Sequence, residues 1–287
     1  MTMDTPALDL DELRRRLDAI DDRIHDLVME RAEIVESVAA FKVATGQPTL
    51  RPGREAQILR RLVARHRGRF PRQTLVRLWR ELLGGTVSMQ GKFAIAVTVP
   101  EARPGFWDIA RDHFGGFLPL IPLRSPADVL SAVGDGRASV GVLPMPTDHD
   151  AAPWWPALAG ARGQGPRVLA RLPFALSGNS RDGDGDALVV GTAAADPTGD
   201  DRTMLVVEAK SGMSRGRFLA AFEGLGPVSY LAGYEPAPNE VWHLIEFDGL
   251  LSPQDPAIVA AMRALGDHIH DVWSFGSYAR PLAPETK

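Results

Sequence analysis

Residues 10–44 read LDELRRRLDAIDDRIHDLVMERAEIVESVAAFKVA, and their spacing decides the fold of the first third of the chain. Apolar residues recur at alternating steps of three and four, at Leu10, Leu13, Leu17, Ile20, Ile24, Leu27, Ile34, Val38 and Phe41. That rhythm is a helix seam meant for burial. Position 31 completes the series and holds an arginine. A guanidinium cannot shed its proton and is costly to bury unless an anion meets it. Lys42, the only lysine before residue 92, follows eleven residues later, three turns on and at nearly the same azimuth. Two cations facing inward along one apolar stripe predict a small, multiply anionic ligand.

The seam predicts a helix from about Leu8 to Ala44, with Asp9 or Asp11 as cap and Gly46-Gln47-Pro48 as stop. Its length, on the order of 55 Å at 1.5 Å per residue, is more than a lone helix sustains without a partner. A second helix is expected from Pro52-Gly53 to His66, with Gly68 as its end. A third is expected from Pro71 towards Gln90, carrying Leu75, Leu78, Trp79, Leu82 and Leu83. Two shorter helices cannot cover the long stripe within one chain, whereas an intertwined dimer can.

From Phe93 the texture changes to short β-type runs with Pro and Gly between them. Strands are expected at Phe93–Val99 and Ser139–Leu143, and helices at Phe106–Phe114 and Pro126–Val133. Ser177–Gly185 is polar and glycine-rich, a loop or linker. The last unit reads strand Thr203–Ala209, helix Arg215–Phe222, strands Val228–Ala232 and Val241–Phe247, helix Pro256–Leu265 and strand Val272–Tyr278. That order, β-α-β-β-α-β, is the ferredoxin-like split pattern. Three domains are therefore expected, over residues 8–91, 92–200 and 201–287: a three-helix unit, an α/β region and a ferredoxin-like α+β unit.

The net charge of −4 hides an asymmetry: residues 1–91 hold 16 Lys and Arg against 13 Asp and Glu, and the remainder holds 16 against 23. Without a cysteine there are no disulfides, thiolate nucleophiles or zinc–thiolate sites. No run approaches the roughly 20 apolar residues that span a bilayer, and Met1–Leu10 lacks the pattern of a secretory signal, so cytoplasm is the expected setting. Ten arginines and one acid, Glu55, lie between Arg51 and Arg80. With few aromatics beside them they read as a solvated basic face, not a nucleic-acid surface. His268 and His270 are too few for a metal site, and Trp154-Trp155 between prolines reads as a packed loop.

Further residues join Arg31 and Lys42. Arg54-Glu55 opens the second helix, and Thr86 and Gln90 lie four apart on one face of the third. Arg14 is too far along the first helix to share a site with Lys42 of its own chain, but reaches that of an antiparallel partner. Separately these have plain readings: Arg31 as an ion pair with Glu30 or Glu33, Glu55 as a first-turn helix acid. Together they resemble the all-helical chorismate mutases, including the mutase domain of bifunctional mutase–prephenate dehydratases. The match covers Leu13-Arg14, Leu17-Asp18-Ala19-Ile20-Asp21, Glu30-Arg31, Lys42, Arg54-Glu55, Thr86 and Gln90.

The resemblance implies that chorismate, a dianion with an ether bridge, rearranges to prephenate in an intramolecular pericyclic step that needs no cofactor or metal. Arg31 and the partner's Arg14 would clamp the two carboxylates. Lys42 and Gln90 would stabilise charge growing on the ether oxygen. Glu55 would accept the ring hydroxyl, Thr86 would assist a carboxylate, and Arg54 would orient the loop-to-helix corner. Arg51, placed with the substrate-binding set, stands where the family often has aspartate. The same fold also serves isochorismate pyruvate lyases. A non-catalytic regulatory partner of a shikimate-pathway enzyme is the alternative of a different class.

The remainder resembles a shortened prephenate dehydratase region followed by an ACT-type unit, through Pro126–Pro144, Pro197-Thr198-Gly199 and Val241–Gly249. The dehydratase chemistry is missing. Gly185-Asp186-Ala187 stands for its Thr-Arg-Phe, Met145-Pro146-Thr147 for its Glu-Asn-Ser, and Pro104-Gly105-Phe106 lacks its Gly-Thr-Phe-Ser. Dehydratase activity is expected to be absent, and the amino-acid signatures of the ACT unit are missing near Gly212 and Tyr234-Glu235.

Overall fold

The computed structural model describes residues 9–100, 105–175, 185–193 and 195–283. Leu8, Pro104 and residues 177–184 of the expected linker lie outside the described residues. The first helix, α1 (Leu10–Thr45), runs for 36 residues, opened by the Asp9 side chain and closed at Gly46. None of its residues is buried. Its half-buried positions are Leu13, Val28, Arg31, Ala32, Val35, Ala39 and Lys42. All but Leu13 lie in its C-terminal half, and the seam residues Leu17, Ile20, Ile24 and Leu27 stand exposed.

Contacts divide the chain into two units. One holds residues up to Thr49 together with Met89–Gly91, and the other holds Leu50–Ser88 with everything from Lys92 onward. The second unit contains α2 (Pro52–Arg65) and α3 (Arg72–Ser88). Its centre is a nine-stranded sheet in the order β2-β1-β3-β5-β4-β9-β6-β8-β7. The strands are β1 (Ile95–Thr98), β2 (Leu120–Leu123), β3 (Val140–Pro144), β4 (Arg167–Leu172), β5 (Ala187–Gly191), β6 (Asp201–Lys210), β7 (Val228–Ala237), β8 (Glu240–Asp248) and β9 (Ile269–Ala279). β1 pairs in parallel with β2 and β3, crossed by α4 (Gly105–Phe114) and α5 (Pro126–Gly134). β5 continues the sheet antiparallel to β3, and β4 pairs antiparallel with β5.

The last four strands pair antiparallel in the order β9-β6-β8-β7, with α7 (Arg215–Ala220) and α8 (Pro256–Leu265) between them. This is the ferredoxin-like arrangement the sequence predicts. One parallel pair, Val168 with Gly276, joins it to the preceding strands. Gly276 has φ +145°, and a Cβ there would lie 2.4 Å from the Val168 carbonyl oxygen, so only glycine lets the strands meet. Phe218, Phe222 and Ile258 cover one face of this unit, and Trp154, Trp155 and Leu158 cover the other.

Several expectations are corrected. The third helix ends at Ser88, leaving Gln90 in a turn beyond it. Trp155 opens a short helix, α6 (Trp155–Ala159), and the Trp154 indole donates to the Pro144 carbonyl at 3.0 Å. β2, β4 and β5 are strands the sequence did not declare. The run between Arg51 and Arg80 is not simply a solvated face, because its arginines reach acids of the same unit: Arg51 to Asp196, Arg60 to Asp200, Arg77 to Asp112 and Arg80 to Glu55. The charge asymmetry along the chain thus has a structural use.

Candidate active site

Lys42 sits in the last turn of α1, half-buried, where a helix favours a cation. Its Nζ donates to the Gln90 Oε1 at 2.9 Å and to the Thr49 carbonyl at 2.8 Å. Two residues 48 apart in sequence, expected as the pair of donors, are therefore side by side. These two acceptors are neutral oxygens that orient the ammonium. The Gln90 carbonyl faces Lys42, so its amide N–H groups are directed away from the ammonium.

Arg31 lies three turns before Lys42, about 16 Å along the helix axis. Burial lowers the pKa of its half-buried guanidinium, which remains charged at any physiological pH. Among the described residues no acid pairs with it, so neither Glu30 nor Glu33 serves as its counter-ion. Arg14 is exposed and pairs with Asp11 one turn away at 3.1 Å, a contact of small energetic value. It stands about 42 Å from Lys42 along α1.

At the start of α2, Arg51 occupies the cap position and grips Asp196 through Nε and Nη2, the latter at 2.6 Å. That carboxylate, by hydrogen bond and by charge, raises the Arg51 pKa. Its guanidinium is thus held within the second unit. Arg54 is exposed. Thr86 turns its hydroxyl back onto its own helix, donating to the Leu83 carbonyl at 2.9 Å.

Glu55 accepts from Arg80 Nη1 at 2.8 Å, and both side chains are nearly sealed from solvent. The sequence reading missed Arg80. The signal was present, since Val76, Arg80, Leu83 and Val87 form an i, i+4, i+7, i+11 stripe with an arginine in it. It was hidden among nine other arginines. Elsewhere in the second unit, Asp186 is held by Arg171. Arg171, Tyr278, Glu246 and Arg202 continue that network across the sheet.

With this geometry in view, the comparison with known families is specific. Residues 13–91 match chorismate mutase type II. The bifunctional chorismate mutase/prephenate dehydratase of Stutzerimonas stutzeri is 29% identical over 148 residues, covering 50% of this chain and 40% of that protein. The enzyme of the same description from Aquifex aeolicus is 30% identical over 141 residues, covering 48% and 39%. The chain therefore matches about two fifths of the length of these curated relatives. Prephenate dehydratase from Arthrobacter aurescens, solved in complex with L-Phe, superposes with a TM-score of 0.44 at 16% identity, over 66% of this chain and 92% of that one. Among the described residues no helix is long and apolar enough to cross a membrane.

Proposed function

We propose that the protein is a chorismate mutase that acts as a homodimer with sites shared between chains. The observation that carries this reading is the contact of Lys42 with Gln90. Two donors preset beside each other are what an oxygen gathering negative charge in a transition state requires, and preset donors cost no reorganisation when the charge appears. The rearrangement is unimolecular, so the remaining task is to hold the folded conformer. Arg31 and the partner's Arg14 do this by clamping the carboxylates, and Glu55 accepts the ring hydroxyl. The bare seam Leu17–Leu27 and the distance of Arg14 from Lys42 support an antiparallel, intertwined pair. In this reading Arg54 and Thr86 are auxiliary, and Arg51 adds positive charge at the start of α2 while it holds Asp196.

The ferredoxin-like unit is read as ACT-like. Dehydratase activity is read as absent, in keeping with an Arg171–Asp186 ion pair where that chemistry would need a hydroxyl. A cytoplasmic role in aromatic amino-acid biosynthesis follows from the proposed reaction. The test is chorismate turnover by the full chain with product identification. Prephenate is expected, without phenylpyruvate at neutral pH. Turnover of isochorismate to pyruvate instead would establish the lyase, and no turnover of either substrate would refute an enzymatic role.

A further inference from the structure

Arg80 lies in α3 with 4% of its surface exposed, an unusual place for a residue that cannot be deprotonated. Three groups surround its guanidinium. Glu55 of α2 accepts from Nη1 at 2.8 Å. The ring of Phe174, just beyond β4, lies 5.2 Å from the guanidinium carbon, within the range of cation–π attraction. His113 of α4 lies close enough to feel its charge: burial first, and Arg80 second, hold the imidazole well below its usual pKa. It is therefore neutral and adds no repulsion. Two of the three groups come from the α/β region after residue 91.

The same region grips the exposed side of α2. Arg51 is held by Asp196, Gln57 donates to the Pro197 carbonyl at 3.0 Å, and Arg60 donates to Thr198 Oγ1 at 2.8 Å. Gly53 sits so close that a Cβ would lie 2.5 Å from the Asp196 Cβ. Glu55 stands between these holds, on the first turn of α2.

We propose that Arg80 is the positioning residue for Glu55, and that the α/β region, through Phe174, keeps Arg80 in place. The inference rests on the mutase reading above and deepens it, since it gives the region without dehydratase chemistry a part in the mutase reaction. Accepting from Arg80 fixes the rotation of the Glu55 carboxylate about its terminal bond, and so fixes where Oε1 is presented. Buried pairs of this kind contribute little net stability but fix geometry.

The test is a double-mutant cycle in the full chain, with Arg80→Met, Glu55→Gln and the combination, reading kcat and KM for chorismate beside melting temperature. If Arg80 acts through Glu55, each single variant loses kcat/KM, and the double variant is no worse than Glu55→Gln. This non-additivity should reach about 10-fold. Arg80→Lys, which keeps the charge without the planar fork, should recover part of the loss. If Arg80→Met melts too low for assay, Arg80→Lys and its double with Glu55→Gln complete the same comparison. Losses that multiply, or an Arg80 variant with wild-type kcat/KM beside an impaired Glu55→Gln, would overturn the positioning role while leaving the mutase reading intact. A wild-type chain that does not consume chorismate would overturn both.

Discussion

Cutting the chain after residue 91 removes more than an appendage. Leu59 and Val76 share a buried cluster with Phe174, and Leu50 and Val87 share another with Ile95, Phe106 and Phe114. The Phe residues and Ile95 leave with the deletion. Full exposure of the four aliphatic side chains costs roughly 1.5–3 kcal/mol each, so about 6–12 kcal/mol as an upper figure, because α2 and α3 also shelter one another. The ties from Arg51, Arg60 and Arg77 to Asp196, Asp200 and Asp112 go with them. The whole stability of a domain is on the order of 5–15 kcal/mol. A 1–91 fragment is thus expected to lose cooperative unfolding, to bind ANS, and to turn over chorismate far more slowly than the full chain. Thermal melts by circular dichroism, dye binding and initial rates at matched concentration provide the check. A fragment that melts cooperatively within a few degrees of the full chain and binds no dye would refute the reasoning, since it would mean that α2 and α3 find equivalent cover without the sheet.

Lys42→Ala and Gln90→Ala should each depress kcat more than they raise KM, because both donors act on charge present only in the transition state; steady-state kinetics showing KM effects alone would remove the assignment. Gln90→Glu should shift the activity optimum towards acid, since an ionised carboxylate 2.9 Å from the Lys42 ammonium would neutralise it, and a pH–rate profile checks the shift. Mixed Arg14→Ala and Lys42→Ala subunits should regain activity after exchange, because one site of the heterodimer takes both defects and the other takes neither. No recovery in verified heterodimers would place the site within one chain. His243, stacked on Phe218 and bonded to the Tyr230 hydroxyl, has its pKa lowered to about 4 by burial and then by Arg215. The unfolded chain therefore binds the extra proton first, and stability complete above pH 6.5 should fall by up to about 3 kcal/mol as pH drops towards 4. Urea unfolding at pH 7 and pH 4.5 measures it, and His243→Phe should flatten the dependence.

How far such features can be read before the fold is known depends on how local their causes are. The bounds of α1 were legible because Asp9 and Gly46 punctuate it, and the ferredoxin-like unit because Met204–Val207 is apolar without a break and Leu244, Ile245 and Phe247 are interrupted by a single acid, Glu246. β2 was not legible: it has four residues with Pro122 among them, which an edge strand tolerates and a pattern reader rejects. β4 was obscured by Arg167 and Arg171, the second of which is explained by Asp186 fifteen residues later and by Tyr278 farther along the chain. In the candidate site, Lys42 and Gln90 could be paired from their types and their family spacing. The hold of Asp196 on Arg51 could not, because 145 residues separate them and nothing local marks either as a partner.

Arg31 and Arg80 make the limit concrete. Both are arginines that replace an aliphatic residue in a helix stripe, and periodicity alone gives them the same reading. Their surroundings separate them. Arg80 is buried against Glu55, 25 residues away, so its charge is answered within the protein and its role is to orient that acid. Arg31 is half-buried with no acid beside it among the described residues, so its desolvation is not offset by a counter-ion. On the proposed mutase reading, this is the cation that a substrate carboxylate meets. The two substitutions should therefore differ in kind. Arg31→Ala should raise stability or leave it unchanged while abolishing turnover, whereas Arg80→Met should cost stability as well as rate, because it leaves the Glu55 carboxylate buried without its partner. Denaturant melts of the two variants beside the wild type decide this, and a large destabilisation by Arg31→Ala would show that the seam arginine holds the fold and not the substrate.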